Sequence, residues 1–414
     1  MLSELRAFGV VDSSGGRAHL LDLAVDLGAG DHPPATALIC GRRGEQRRQL
    51  PWSAVTRVDA LERRLVVPDL SAGTPAPADG LADAVLLRRD VMDAQIVDLA
   101  GLRTTRANDL WLASDGAALV LSAVDVGAWA ILRRLGRGWL GRGDDRDLLD
   151  WANVEFLRGD AAAARAGRHY HRRIARLPPG EIAHLAEALP YPHAAELVTL
   201  LPDQLAADTL EVTSPTRQLQ VYEELDEPRA VRLLPLMAPD VAADLLGRML
   251  PDEARRYLEQ LPPERAERLI DLLRYPDDSA GGIMTNDLVL ARGGMTIGEA
   301  RRTLRDRFRE PDFINFVYVV GDEESRSLLG VLSVRDLIVA DDGDWLEDLM
   351  RRDLVTVAPL EPALAAAQRV ADSHLAALPV VGGDGRLLGA VTIDGALGVL
   401  APRAGGGHAP RVFS

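Results

Sequence analysis

Cysteine is almost absent. Cys40 is the only one in 414 residues, which excludes an intramolecular disulfide and any cysteine-built zinc site and fits a reducing cytosol. Basic residues are in deficit: Lys and Arg total 47 against 62 Asp and Glu, a formal net charge of −15. A chain this acidic lacks the clustered cations that grip nucleic-acid phosphate, so nucleic acid is not an expected partner. The same balance suits cations or a basic partner surface, and serves solubility equally well. Long apolar runs are missing too. The longest, Ala117 to Leu132, is interrupted by Asp125 and is short for a bilayer, so it reads as a buried strand running into a helix, with no membrane-spanning segment expected. The N-terminus, MLSELRAFGVVD, has no basic region followed by an apolar stretch, and no secretory signal is expected. There is no HExxH, no GxxxxGKS phosphate loop and no GxSxG elbow. The reading is non-enzymatic.

What is present is length and apolar content. The chain is long enough for about two to four domains, and 47% of it is hydrophobic, enough for a core in every part. The front end, to about residue 158, holds a weak duplication. The first copy runs from Val10-Val11-Asp12 through LLDLAVDL to Pro51-Trp52-Ser53-Ala54-Val55. The second runs from Ile96-Val97-Asp98 through LVLSAVDV to Asp150-Trp151-Ala152-Asn153-Val154. Short apolar segments between Gly, Asp and Ser predict strands joined by tight turns, and Ser71 to Gly80 reads as a linker. The Trp-x-x-Val ending of each copy resembles PRC-barrel units, small β-barrel docking modules, over residues 1–70 and 81–158. Trp52 and Trp151 read as core residues rather than ligand contacts.

From 159 to 275 a repeat of about 12 residues appears. Leu177-Pro178, Leu189-Pro190 and Leu201-Pro202 are evenly spaced, and Pro239, Pro251 and Pro262 continue the pattern. Proline is tolerated in a first helical turn, where its missing N–H has no helical partner anyway. Each repeat predicts one short helix that stacks on its neighbours into a superhelix. Tyr275-Pro276-Asp277-Asp278-Ser279-Ala280-Gly281-Gly282-Ile283-Met284-Thr285 follows directly. This stretch resembles the N domain of MgtE-type magnesium transporters at its junction with a CBS pair. The resemblance implies that acids on the segment APDVAADLL, Asp240 and Asp244, help hold Mg2+ against the CBS domains. Magnesium takes hard oxygen ligands and keeps several waters, so few carboxylates suffice. A solvated acidic face with Asp at a helix start is the plain alternative.

Residues 276–402 contain two copies of one pattern. Met284 pairs with Met350, Val319-Val320 with Val380-Val381, and Gly330 with Gly389, each copy reading strand, helix, strand, strand, helix. This resembles tandem CBS motifs, a Bateman module that senses adenine nucleotides. In that family a Ser/Thr-x-x-Asp motif places a hydroxyl against phosphate and a carboxylate against ribose. Ser333-Val334-Arg335-Asp336 keeps it, and Arg335 adds a cation for phosphate; Asp336 as a helix cap is the alternative. The second copy reads Thr392-Ile393-Asp394-Gly395, without the carboxylate. Where the transporters read Thr-Val-Asp-Asp-x-x-Asp, Gly395 and Gly398 replace two acids. Where they read Tyr-Asp-Phe, this chain has Ser373-His374-Leu375. Magnesium sensing and the nucleotide pocket are both put in question there. Only a short tail, 403–414, follows, with no pore helices.

The expected architecture is multidomain α+β: β-barrel-like front units, an all-α superhelix and an α/β CBS pair. The resemblance implies a cytoplasmic sensor or adaptor that responds to Mg2+, to ATP, ADP or AMP, or to both. It also implies a homodimer through the CBS domains and a membrane protein or transporter subunit as partner. A ligand-insensitive scaffold and the cytosolic subunit of a split transporter are the alternatives. His169-Tyr170-His171 lacks a third ligand nearby. Arg133, Arg134 and Arg137 after Trp129 read as a solvated loop before a contact for a membrane surface or acidic partner.

Overall fold

Residues 1–2, 8–42, 45–59, 62–76, 85–115, 118–134, 147–158, 173–305, 315–322 and 324–401 are described by the computed structural model. His169 to His171, Arg137, the end of the Ser71–Gly80 linker and the 403–414 tail lie outside the described residues. The chain divides into two compact units, 1–213 with 220–225, and 214–219 with 226–414. Among the described residues no helix is long and apolar enough to cross a membrane.

In the first unit, alternating and fully apolar segments form strands β1 (Gly9–Asp12), β2 (Arg17–Val25), β3 (Ala35–Gly41), β4 (Arg48–Pro51), β5 (Arg57–Asp59), β6 (Arg64–Val67), β7 (Thr74–Pro75) and β8 (Val85–Leu86). They make one sheet in the order β5-β6-β1-β2-β3-β4-β7, with β8 on β2. The second copy supplies β9 (Gln95–Asp98), β10 (Arg103–Arg106), β11 (Asp109–Asp115), β12 (Ala118–Asp125), β13 (Leu148–Asp150) and β14 (Val154–Phe156), as the sheets β10-β9-β14 and β11-β12-β13.

The duplication extends to local geometry. Asp12 accepts hydrogen bonds from the N–H groups of Ser14 and Gly16, closing the turn after β1; Asp98 accepts one from Gly101 after β9. Each copy then reaches its tryptophan through a 3-10 turn, Trp52–Ala54 and Trp151–Asn153. One pairing differs from the sequence reading. LVLSAVDV is β12, which hairpins with β11 and runs beside β13 into the Trp151 turn. By connectivity it stands where β3 stands, not where LLDLAVDL of β2 does. Both segments are buried strands, and apolar composition does not distinguish one buried strand from another. The inner faces of the two copies merge: Leu23, Leu38, Trp52 and Leu65 share one apolar core with Ile96, Leu110, Leu121 and Trp151. Ala118–Asp125 followed by the helix Ala128–Arg134 is the expected strand and helix.

The helical repeats begin at residues 179, 191, 203, 215, 227, 239, 251 and 263, an interval of 12 each time. The Pro179–Ala188, Pro239–Gly247, Pro251–Gln260 and Pro263–Leu273 helices carry proline in the first turn and no side-chain cap. The ring's fixed φ starts the helix without a hydroxyl or carboxylate. The chain passes from one unit to the other inside this stretch, at the helix Pro215–Glu223. In a solenoid each repeat packs mainly on its neighbours, so no sequence break marks that boundary.

The rest of the second unit holds the two copies of the repeated pattern. The first contains β15 (Leu290–Arg292), the helix Ile297–Leu304, β16 (Phe316–Val320), β17 (Leu328–Ser333) and the helix Val334–Val339. The second has the helix Ala363–Ser373, β18 (Ala377–Val381), β19 (Leu387–Thr392) and the helix Ile393–Leu400. Its first strand is reduced to one parallel bridge between Val357 and Val380. Each motif's approach segment crosses to the other motif. Thr285 exchanges both backbone hydrogen bonds with Ala390, and Arg351 does the same with Val331. Met284 lies over Gly389 and Met350 over Gly330, where an added Cβ would stand 2.7 Å and 2.6 Å from the sulfur atoms. Tyr318, Val320 and Val331 bury against Ala377, Leu387 and Ala390 between the two sheets.

Candidate functional site

The serine at the end of β17 turns the chain from sheet to helix. Ser333 is extended at φ −74°, ψ 150° and caps Val334–Val339. Its Oγ accepts the Asp336 N–H at 3.1 Å and donates its proton to Asp336 Oδ2 at 2.6 Å. The cap is therefore Ser333, and Asp336 is the acid in the first helical turn, where the helix dipole favours it. A carboxylate offers about four lone-pair sites and the serine hydroxyl takes one, leaving acceptors for other hydroxyls. Asp336 is half-buried and Arg335 beside it is exposed.

A helix of six residues needs external support. Val334 donates its N–H to the Asn315 carbonyl at 3.1 Å. At the other end Arg301 donates to the carbonyls of Leu337 and Ile338 at 2.7 Å and 3.0 Å and to that of Ala340, and pairs with Asp342. Nothing in the sequence flags Arg301, one arginine among several on a charged helix. In the second motif Thr392 Oγ1 accepts the Gly395 N–H at 3.1 Å, so the hydroxyl cap survives without the carboxylate.

The two predicted magnesium residues lie one turn apart on Pro239–Gly247, both half-buried. Crowding by protein pushes the Asp240 carboxyl up to about 6, and the charges of Asp244 and then Asp394 push the same way, against the N–H groups of Asp240 and Val241. The fold thus brings into one electrostatic field the acids of APDVAADLL and Asp394, the acid retained in the second motif. Nearby, Arg268 of Pro263–Leu273 pairs with Asp287 at 2.8 Å, and Asn286 Nδ2 donates to the Arg268 carbonyl at 2.8 Å. Among the described residues no group of three or more His, Cys, Asp or Glu stands close enough to enclose a metal. Two carboxylates one turn apart suffice only for an ion that keeps most of its water, as Mg2+ does.

In the first unit a buried cluster joins both front-end copies. Arg173 donates to the carbonyls of Trp151 and Val154 at 2.9 Å and 2.8 Å, to those of Gly30 and Asp31 at 3.2 Å and 3.0 Å, and to the Asp31 carboxylate at 3.3 Å. Next to it, Glu155 Oε2 accepts the Ile174 N–H at 3.2 Å. Burial lifts the Glu155 carboxyl to about 8 despite Ile174 and Arg173, with Glu196 adding repulsion.

Comparison with known proteins places the second half of the chain. A model of the MgtE intracellular N domain matches residues 177–278, and the CBS domain model matches 280–343 and 346–401. The magnesium transporter MgtE of Thermus thermophilus is 44% identical over 133 residues, 32% of this chain and 29% of the relative. The Enterococcus faecalis transporter is 36% identical over 134 residues, again 29% of its length. The matched part thus spans less than a third of these relatives. A crystal structure of the cytosolic domain of the Mg2+ channel MgtE in complex with ATP superposes with a TM-score of 0.52 at 35% identity, covering 55% of this chain and 93% of that one.

Proposed function

We propose that this chain, which carries an MgtE intracellular N domain followed by a pair of CBS domains, is a non-enzymatic cytoplasmic sensor or adaptor. It takes an adenine nucleotide at Ser333, Arg335 and Asp336 and Mg2+ at Asp240 and Asp244. The observation that carries the reading is the field around Asp240: burial lifts its carboxyl to about 6, and the charges of Asp244, one turn along the same helix, and of Asp394, from the second motif, add to the rise. A divalent cation offsets that repulsion and favours whichever arrangement holds the acids together, a shift in population between two states. The likeness to an MgtE cytosolic domain solved with ATP supports the nucleotide half. Asp336 would accept ribose hydroxyls and Arg335 would meet phosphate.

The front end, with its two tryptophan-ended copies over 1–70 and 81–158, serves in this reading as the docking module toward a partner. A membrane protein or transporter subunit is the partner class that the MgtE likeness supports. The second copy in a homodimer would cover the CBS helices: Ile338 and Val339 are 71% and 76% exposed, and Ile393 and Leu397 are exposed on the last helix. Calorimetry and small-angle scattering with and without millimolar Mg2+ and ATP test the proposal. Saturable heat and compaction are expected, both lost in Asp240→Asn for the metal and in Asp336→Asn for the nucleotide. No heat from either ligand favours the second reading, a ligand-insensitive scaffold, for which Gly395, Gly398, His374 and Leu375 speak. A complex with a pore-forming chain would identify a split transporter.

A further inference from the structure

The helix Pro263–Leu273 reaches two ways within the second unit. Its arginines at 265 and 268 stand nearly one turn apart and hold different partners. Arg265 donates to the carbonyl of Met237, two residues before the helix that carries Asp240 and Asp244. Arg268 Nη1 donates to the Asp287 carboxylate at 2.8 Å, and the Arg268 carbonyl accepts the Asn286 amide at 2.8 Å. Asn286 and Asp287 directly follow Thr285, which exchanges both backbone hydrogen bonds with Ala390 of β19. Beyond Ala390 the same strand runs into the last helix, where Asp394 is the acid of the first turn.

The seam between the last helical repeats and the CBS pair therefore holds two kinds of contact. At one, the charges of Asp244 and Asp394 act on Asp240, and like charges oppose closure. At the other, a guanidinium meets a carboxylate. The side chains of Arg268 and Asp287 are 36% and 21% exposed, so water screens this charge-assisted bond less than it would on an open surface. The Asn286 bond uses the backbone of Arg268, so a change of side chain at 268 leaves it in place. A divalent cation favours a closed seam by offsetting repulsion between acids. Arg268 neutralises Asp287 in the same way as a fixed part of the chain, whatever the ion concentration.

We infer that Arg268 is a built-in counter-ion of this seam. Its pair with Asp287 latches the Pro263–Leu273 helix, and through Arg265 the helix of Asp240, to the CBS pair without a metal. The latch thereby lowers the Mg2+ concentration at which the seam closes, because the closed state is already partly populated before the ion arrives. The Mg2+ threshold rests on the metal reading above; the latch rests on the contacts alone.

The test uses the full chain with Arg268→Gln, with Asp287→Asn, and with the charge exchange Arg268→Glu plus Asp287→Arg. Amide hydrogen exchange over 264–272 and 284–290 in Mg2+-free buffer reads the latch, and small-angle scattering across a Mg2+ titration reads the threshold. Each single variant should exchange about fivefold faster in those segments and need about fivefold more Mg2+ for half of the compaction. The charge exchange should bring both readouts back toward the wild type, which a packing defect at 268 would not allow. Single variants that exchange as slowly as the wild type without Mg2+ overturn the latch. Faster exchange with an unmoved Mg2+ midpoint overturns the threshold. A wild type that does not respond to Mg2+ while the single variants still exchange faster overturns the metal reading, and the threshold with it, and leaves the latch standing. If the charge exchange does not fold, agreement between the two single variants supports the pair, and an effect of only one of them overturns it.

Discussion

Glu155→Gln should make the first unit more stable in alkali and leave it unchanged in acid. Glu155 sits on β14, 2% exposed, with one oxygen accepting the Ile174 N–H. Folding raises its carboxyl from 4.5 to about 8, burial being the largest cause. Below pH 4.5 the acid is neutral in both folded and unfolded chains and contributes nothing. Between 4.5 and 8 the unfolded chain has lost a proton that the folded chain retains. Stability therefore falls as pH rises, by about 1.4 kcal/mol per pH unit, to a total near 5 kcal/mol that persists above pH 8. Glutamine keeps an acceptor for Ile174 and cannot ionise, so this slope disappears. Arg173 is not stranded by the change, because Asp31 and the carbonyls of Gly30, Asp31, Trp151 and Val154 meet its charge. Thermal unfolding followed by the fluorescence of buried Trp52 and Trp151 reads the effect. At about 2–4 °C per kcal/mol, the variant should melt roughly 10–20 °C above the wild type at pH 9 and level with it at pH 4. Midpoint profiles that stay parallel from pH 4 to pH 9 would refute the reasoning.

Millimolar Mg2+ should raise the melting temperature of the wild type, and Asp240→Asn should abolish that rise; a variant that still responds fully would remove Asp240 from the site. Arg173→Met leaves the Asp31 carboxylate and four carbonyls without their donor and should cost about 3 kcal/mol of first-unit stability in urea unfolding, and a loss below 1 kcal/mol would show that water replaces the guanidinium. Ser333→Ala removes the cap of Val334–Val339 and the bond to Asp336. It should cost about 1 kcal/mol and weaken ATP binding about tenfold by calorimetry; unchanged affinity would separate the cap from the ligand site.

Much of this molecule is local and so could be read along the chain. Pro178, Pro190, Pro202, Pro239, Pro251 and Pro262 mark helix starts because the ring acts on its own φ and on the residue before it. The 12-residue interval also holds at Pro215 and Glu227, which the sequence reading did not include in the proline series. The order of elements in the CBS pair and the Ser333–Asp336 turn are equally local, set by period-2 alternation and a hydroxyl cap.

Other features depend on pairings between distant residues, which no local pattern encodes. These are the common core of the two front-end copies, the place of β12, the exchange of Met284 and Met350 between motifs, and the approach of Asp394 to Asp240. The likeness to the transporters marked Gly395 as a lost acid; only the tertiary structure sets the Ile283 carbonyl against it. By itself the sequence determined where helices and strands begin and which residue types stand ready for a cation or a nucleotide. Tertiary packing decided which of those residues share a field or exclude one another, because Coulomb repulsion and steric overlap depend on separation in space and not along the chain.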